Sequence, residues 1–248
     1  MIEFKNTDAL SLLKTISDNS INLVLIDPPY IISKKSGMQA GRELVKAGVK
    51  HKNLQLSVQT DFGEWDKLFT IELLNEIVKE LFRVLKKGGT VIIFFDLWKI
   101  SELKTILDEA NFKQLRFIEW IKTNPVPINS KLNYLSNARE MALTAVKGGK
   151  PTFNSEYDNG IYNFGIQQGN RIHPTQKSLK LFEELIKKHS NEGDLVLDCF
   201  AGSATTTIAA INQNRNFIGC EIDKNYFDLA QQRIDELEKK SNKDLLVN

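Results

Sequence analysis

The chain has 248 residues, with 33 Lys and Arg against 31 Asp and Glu, 42% hydrophobic residues and 2 cysteines. These proportions exclude a collagenous chain, a disulfide scaffold and a wholly disordered one, and at this length one large core forms without covalent staples. A net charge of +2 is too small to identify a polyanionic partner, so the placement of charge matters more than its sum.

Residues Met1 to Asn6 show no basic leader followed by an apolar run, and no stretch reaches the ~18 apolar residues of a membrane span. Cys199 and Cys220 lack the spacing of a zinc site or a secreted framework, so the expectation is a soluble cytoplasmic protein with two buried thiols and no metal. A helix is expected over Thr7 to Ile16, capped by Thr7, followed by a strand from Ile21 to Asp27. Thr70 to Leu85 repeats apolar residues at helical spacing, Thr90 to Phe95 reads as a strand, Ile100 to Ala110 as a helix and Leu115 to Ile121 as a strand. The pattern continues with a helix over Ser178 to His189, a strand over Asp194 to Phe200, a helix over Thr205 to Asn212, a strand over Asn216 to Ile222 and a helix over Tyr226 to Glu238. Continuous apolar strands alternating with helices predict a doubly wound, Rossmann-like α/β domain over 1–248, with parallel strands and helices on both faces of the sheet.

Two stretches, Ile31 to Trp65 and Asn124 to Arg171, are too long for ordinary connections. The first is rich in cations, among them Lys34, Lys35, Arg42, Lys46, Lys50 and Lys52. The second carries Lys131, Arg139, Lys147, Lys150 and Arg171 among Asn and Tyr residues, a set able to contact phosphates and read base edges. A solvated loop is the alternative for each.

Leu23 to Ile26 is an apolar strand that stops in Asp27-Pro28-Pro29-Tyr30. In open α/β sheets, ligands bind just beyond the carboxyl ends of the strands. There Asp27 can accept a hydrogen bond from an exocyclic amino group, and the Pro28 carbonyl can accept the second. Two acceptors leave the nitrogen lone pair less committed to its ring and more nucleophilic. The paired prolines fix φ and supply no competing N–H, while Tyr30 can stack on a planar base. A strand followed by a Pro-rich turn is the structural alternative.

Toward the C-terminus, Leu195 to Thr206 has an apolar strand ending at Asp198, a small-residue turn through Phe200, Gly202 and Ser203, and a helix start at Thr205. Small residues let a ligand approach the backbone, and the next strand ends in Glu221 at the position where α/β folds hold ribose hydroxyls. No G-x-G-x-x-G fingerprint is present, which disfavours a nicotinamide enzyme.

Together these motifs resemble the amino-directed DNA methyltransferases, whose catalytic tetrapeptide is matched by Asp27-Pro28-Pro29-Tyr30. Their S-adenosylmethionine motif Phe-x-Gly-x-Gly-Thr is matched by Phe200, Gly202 and Thr205, with Ala204 in place of the second glycine and a backbone there that alanine is expected to tolerate. His173-Pro174-Thr175-Gln176-Lys177 resembles a segment that helps to form the cofactor pocket, and Asp8-Ala9 a short acidic segment that touches the cofactor from the other side. The order of the motifs is that of the β class. The resemblance implies S-adenosyl-L-methionine as cofactor, held by Asp8, Ala9, Asp27, Thr175, Lys177, Asp198, Phe200, Gly202, Ser203, Thr205 and Glu221, with Lys177 pairing the methionyl carboxylate. It implies direct methyl transfer to adenine N6 in double-stranded DNA after base flipping, within a restriction-modification system. Residues 31–65 become a basic DNA-contacting insert and 124–171 a target-recognition region, with Lys34, Lys35, Arg42, Lys131 and Arg139 as nucleic-acid contacts. A homodimer and a cognate restriction endonuclease are the further partners it implies. Cytosine-N4 transfer, and a DNA- or cofactor-binding module without turnover, stay open as alternatives.

Overall fold

A computed structural model describes residues 1–30, 69–125, 138–166 and 176–246. Eight strands form one sheet: β1 (Ile2–Asn6), β2 (Ile21–Ile26), β3 (Leu85–Phe95), β4 (Lys113–Lys122), β5 (Arg139–Val146), β6 (Ile161–Phe164), β7 (Leu195–Asp198) and β8 (Asn216–Glu221), in the order β1-β8-β7-β2-β3-β5-β4-β6. The described helices are α1 (Ala9–Thr15), α2 (Ile71–Val84), α3 (Ile100–Glu109), α4 (Leu179–His189), α5 (Thr205–Asn212) and α6 (Lys224–Leu246).

Side chains along the central strands alternate between two apolar clusters, as a sheet covered on both faces requires. Val24, Ile26, Val91, Ile93 and Phe95 face Leu12, Leu13, Leu74, Ile77, Leu81 and Leu103 of α1, α2 and α3. Leu23, Leu25, Ile92 and Phe94 face Leu181, Leu185, Ala209 and Ala210 of α4 and α5. Full burial of side chains of this size stabilises the fold by about 1.5–3 kcal/mol each. The doubly wound expectation therefore holds.

The sheet departs from a purely parallel one at β5, which is antiparallel to both β3 and β4 and separates them. β5 and β6 both fall inside the stretch expected to be irregular. β5 escaped notice because Met141-Ala142-Leu143-Thr144-Ala145-Val146 is buried on both faces with small residues instead of a dense Ile and Val run. β6 is a four-residue edge strand, and β1, also at an edge, was not anticipated either. Helix α1 is capped by Asp8, not by Thr7: the Ser11 amide donates to the Asp8 carboxylate at 2.9 Å.

The basic insert at 31–65 lies outside the described residues, and so do Lys34, Lys35, Arg42, Lys131 and Thr175. Among the described residues, no helix is long and apolar enough to cross a membrane.

One close approach fixes how β7 and β8 meet. A Cβ built on Gly219 would sit 2.4 Å from the Asp198 carbonyl oxygen and 2.4 Å from the Phe217 ring. Gly219→Ala is expected to lower stability by about 1–3 kcal/mol through overpacking, read as a shifted urea midpoint at unchanged slope.

Candidate active site

The carboxyl ends of the parallel strands and the amino end of antiparallel β5 meet at one end of the sheet. Strands β2 and β7 are direct neighbours, with Leu23 opposite Val196 and Val24 opposite Leu197. Asp27, just past β2, and the turn after Asp198, at the end of β7, therefore stand side by side at the end of the sheet where open α/β folds form a ligand crevice.

Asp27 is held by Lys177, whose Nζ lies 2.9 Å from Asp27 Oδ2. The same ammonium donates to Glu140, the second residue of β5, and lies 3.4 Å from the Tyr30 hydroxyl. Glu140 is gripped from its other side by Lys122, at the end of β4, at 2.6 Å. Lys177 is itself buried, lying 5.5 Å from the Tyr30 ring centroid and 5.4 Å from that of Phe94. The other Asp27 oxygen, Oδ1, is closed off from solvent and has no hydrogen-bond partner among the described residues.

The charges follow from this packing. Burial raises the Asp27 carboxyl above the usual carboxylate range, with Lys177 opposing that rise and Glu140 adding to it. Burial acts on Glu140 in the same sense, but Lys177 and Lys122 outweigh it and hold Glu140 below its ordinary value. Burial would discharge Lys177, yet Asp27 and Glu140 keep it firmly protonated. Burial, then the neighbouring Asp27 charge, pushes the Tyr30 phenol up, so its hydroxyl stays protonated. Tyr30 also meets Phe95 edge-on at 6.3 Å, which fixes its ring. Pro28 is buried and Pro29 partly exposed.

The second half of the crevice is built around Asp198. Its Oδ1 accepts from the Phe200 amide at 2.9 Å and its Oδ2 from the Thr206 hydroxyl, which ties the turn to the first residues of α5. Gly202 has φ +50 and donates its amide to Glu221 Oε2 at 2.9 Å, while Glu221 Oε1 accepts from the Asp223 amide at 2.8 Å. Phe200 packs edge-on against Phe69 at 5.6 Å. Ser203 and Thr205 are buried, with their hydroxyls 3.2 Å apart. Asp8 and Ala9 follow β1, whose Asn6 pairs with Glu221, so they stand at the same end of the sheet. Burial pushes the Asp8 carboxyl up, but hydrogen bonds from Ser11 and the neighbouring backbone together hold it below its ordinary value.

Ala204 departs from expectation. It adopts φ 60 and ψ 31, in the left-handed region, where a side chain costs about 1–2 kcal/mol relative to the right-handed form. Its methyl is fully buried against Ala230 and Ile234, which offsets part of that cost.

Arg139 starts β5 at the same end of the sheet as Asp27, exposed and 3.3 Å from Glu119. Lys147 and Lys150 follow the other end of β5, where Lys147 bonds Asn19 and the Arg83 carbonyl, so they are remote from Asp27. Two residues at the site were missed from sequence, Glu140 and Lys122, because their partners are distant in the chain. Trp98, 89% exposed just beyond β3, was missed as well, although an aromatic after a buried strand end was the available signal. Both cysteines are buried with their thiols pushed up, and Cys220 donates to the Cys199 carbonyl at 3.3 Å, so they serve as core. Among the described residues there is no cluster of potential metal ligands.

The model of a family described as DNA methylase, covering N6 and N4 enzymes, matches residues 21–232. The chain belongs to the N6/N4 DNA methylase family. It is 31% identical over 257 residues to the Type II methyltransferase M2.DpnII of Streptococcus pneumoniae, covering 96% of this chain and 90% of that one. Among solved structures it is similar to M1.HpyAVI in complex with SAM, with 30% identity, a TM-score of 0.67, and 94% of this chain and 100% of that one covered. The PvuII cytosine-N4-specific DNA methyltransferase shares the fold at a TM-score of 0.71 and 19% identity, covering 93% of this chain and 85% of that one.

Burial pushes the Asp198 carboxyl up to about 7, against an ordinary value of 3.8. Between those values the folded chain holds a proton that the unfolded chain has lost, so this group makes stability fall as pH rises from about 4 to about 7. Asp198→Asn is expected to flatten the decline in that window. Asp27 and Glu221, raised in the same direction, keep part of it. Denaturant melts across the window measure the slope, and an unchanged slope in the variant contradicts this assignment.

Proposed function

We propose that this DNA methylase transfers a methyl group from S-adenosyl-L-methionine to adenine N6 in duplex DNA, with the target base flipped out of the helix. The observation that carries the reading is the buried Oδ1 of Asp27, an acceptor without a partner among the described residues, just past the strand that neighbours the one leading into the Gly202 turn. An amino group bound there donates one hydrogen to Asp27 Oδ1 and the other to the Pro28 carbonyl, which leaves its lone pair directed away from the ring. Pro29 stiffens that loop, and Tyr30, fixed by Lys177 and Phe95, offers a face on which the base stacks. The proton lost on transfer passes to the Asp27 side of the site, whose carboxyl burial has already made more basic.

The residues present fit S-adenosylmethionine. A side chain built at Gly202 would meet nothing nearer than 4.0 Å, so the turn is open to close approach by a ligand. Glu221 and Asp198 end adjacent strands as acceptors, Phe200 gives an aromatic neighbour for a sulfonium, and Asp8, Ala9, Ser203 and Thr205 complete the wall in this reading. Thr175 belongs to the same set. When bound, the cofactor supplies an electrophilic methyl group for in-line transfer. The chain's own residues contribute position and electrostatics, without a covalent intermediate on the protein.

Lys177 is assigned to the same pocket, although in this structure it faces two carboxylates of the chain. For DNA, Arg139 and the exposed Trp98 lie at the catalytic end, and Lys34, Lys35, Arg42 and Lys131 are the further contacts in this reading. Residues 31–65 and 124–171 are its DNA-contacting insert and target-recognition region. A restriction endonuclease acting on the same site is part of the proposal, supported by the Type II naming of M2.DpnII, and a homodimer is its expected assembly.

Incubation with labelled donor and duplex DNA of varied sequence tests the reading, and label in N6-methyladenine is the expected product. Label in N4-methylcytosine, or none in any DNA, overturns it. Asp27→Ala is expected to reduce transfer by about 10²–10⁴-fold while donor binding, followed by calorimetry, is retained.

A further inference from the structure

We propose that Glu140 is a positioning residue for methyl transfer: by sharing Lys177 with Asp27, it holds the ammonium on Oδ2 and keeps Lys177 from bonding Oδ1, the acceptor left for the incoming amino group. The inference rests on the reading of Asp27 as the amino acceptor and assigns the residue that keeps it available.

An ammonium has three N–H donors. In this structure Lys177 directs them at Asp27 Oδ2, at Glu140 and at the Tyr30 hydroxyl, so all three have acceptors. If Glu140 lost its charge, the donor it holds would keep only a neutral acceptor, and the remaining carboxylate on Lys177 would be Asp27, one of whose oxygens is buried without a partner among the described residues. The favourable outcome for a desolvated ion pair is then a second hydrogen bond from Lys177 to Asp27, occupying Oδ1 and competing with the substrate. Phe94 packs beside the ammonium, and water is a poor substitute for Glu140 in that wall.

Topology supplies the means. The parallel strands bring their carboxyl ends to the crevice, and antiparallel β5 brings its amino end, so Glu140 arrives from the opposite chain direction. Trp120 lies opposite Glu140 across β4 and β5, and Lys122 extends from the same side of β4 to pair with it at 2.6 Å. Among the described residues, the charged groups around Asp27 are thus Lys177 from the segment before α4, Glu140 from β5, Asp198 from β7 and, on the far side of Glu140, Lys122 from β4; Tyr30 is a titratable neighbour on its own loop. Signs alternate from Lys122 through Glu140 and Lys177 to Asp27. Removing Glu140 strengthens the hold of Lys177 on Asp27, and removing Lys122 strengthens the field of Glu140 on it. The two changes act on Asp27 in opposite directions.

The test is the pH profile of kcat/KM for methyl transfer in the full chain carrying Glu140→Gln or Lys122→Met. Glu140→Gln is expected to lower transfer about tenfold and to move the acid limb down by about one pH unit, and Lys122→Met to move that limb up. Donor affinity and the thermal melt report that each variant is folded. Glu140→Asp, which keeps the carboxylate, is expected to return the limb toward its wild-type position. Acid limbs that stay in place in both charge variants, or move in the same direction, overturn the inference while leaving Asp27 as the acceptor. Full transfer by Asp27→Ala would instead remove the reading beneath it.

Discussion

A buried ammonium shared by two carboxylates constrains the catalytic end of this molecule. Lys177 cannot remain charged in an apolar wall without counter-ions, and removing one partner of a buried pair typically costs about 3–5 kcal/mol. Its partners come from β2 and β5, and the lysine from the segment before α4, so meeting its charge draws together three distant parts of the chain. The same pairing leaves one oxygen of Asp27 without a partner among the described residues. A buried acceptor without a partner costs stability, and in the proposed reading that cost provides a prearranged contact for a substrate amine.

The sheet makes that arrangement geometrically available. Strands β2 and β7 are neighbours, so the residues just beyond them share a crevice regardless of the long chain between them. Asp198 braces the turn by accepting from Phe200 and Thr206, and Glu221 braces it again through Gly202. The acids on this side thus anchor the loop through its amides and a hydroxyl. Antiparallel β5 lets a charged residue near the amino end of a strand reach the same place, which a wholly parallel sheet would not permit.

Much of this was legible from local sequence. The apolar run ending in Asp27-Pro28-Pro29-Tyr30 marked a strand end with unusual chemistry, and the bounds of α5 followed from the small-residue turn before Thr205. Strand β5 was not legible, since its alanines satisfy burial on two faces without the branched residues that announce a strand. Asp8 was read as a ligand-side acid, yet its carboxylate caps α1, a role that its position three residues before Ser11 could have suggested. The left-handed backbone at Ala204 left no trace in residue type, because alanine carries no turn signal. The Lys177 network was invisible for another reason: ion pairs between residues far apart in the chain depend on strand order, and strand order on the missed β5.

The central claim is that the Asp27 carboxylate and the Gly202 turn serve a single reaction crevice. A crystal structure of the protein with sinefungin, which carries an amine in place of the transferable methyl, measures this directly. The account places the nucleoside against the Gly202 turn and Glu221, with the amine directed at the space before Asp27 Oδ1, about 3–3.5 Å from where a bound amino nitrogen would sit. Sinefungin seated elsewhere, or with its amine directed away from Asp27, would contradict it.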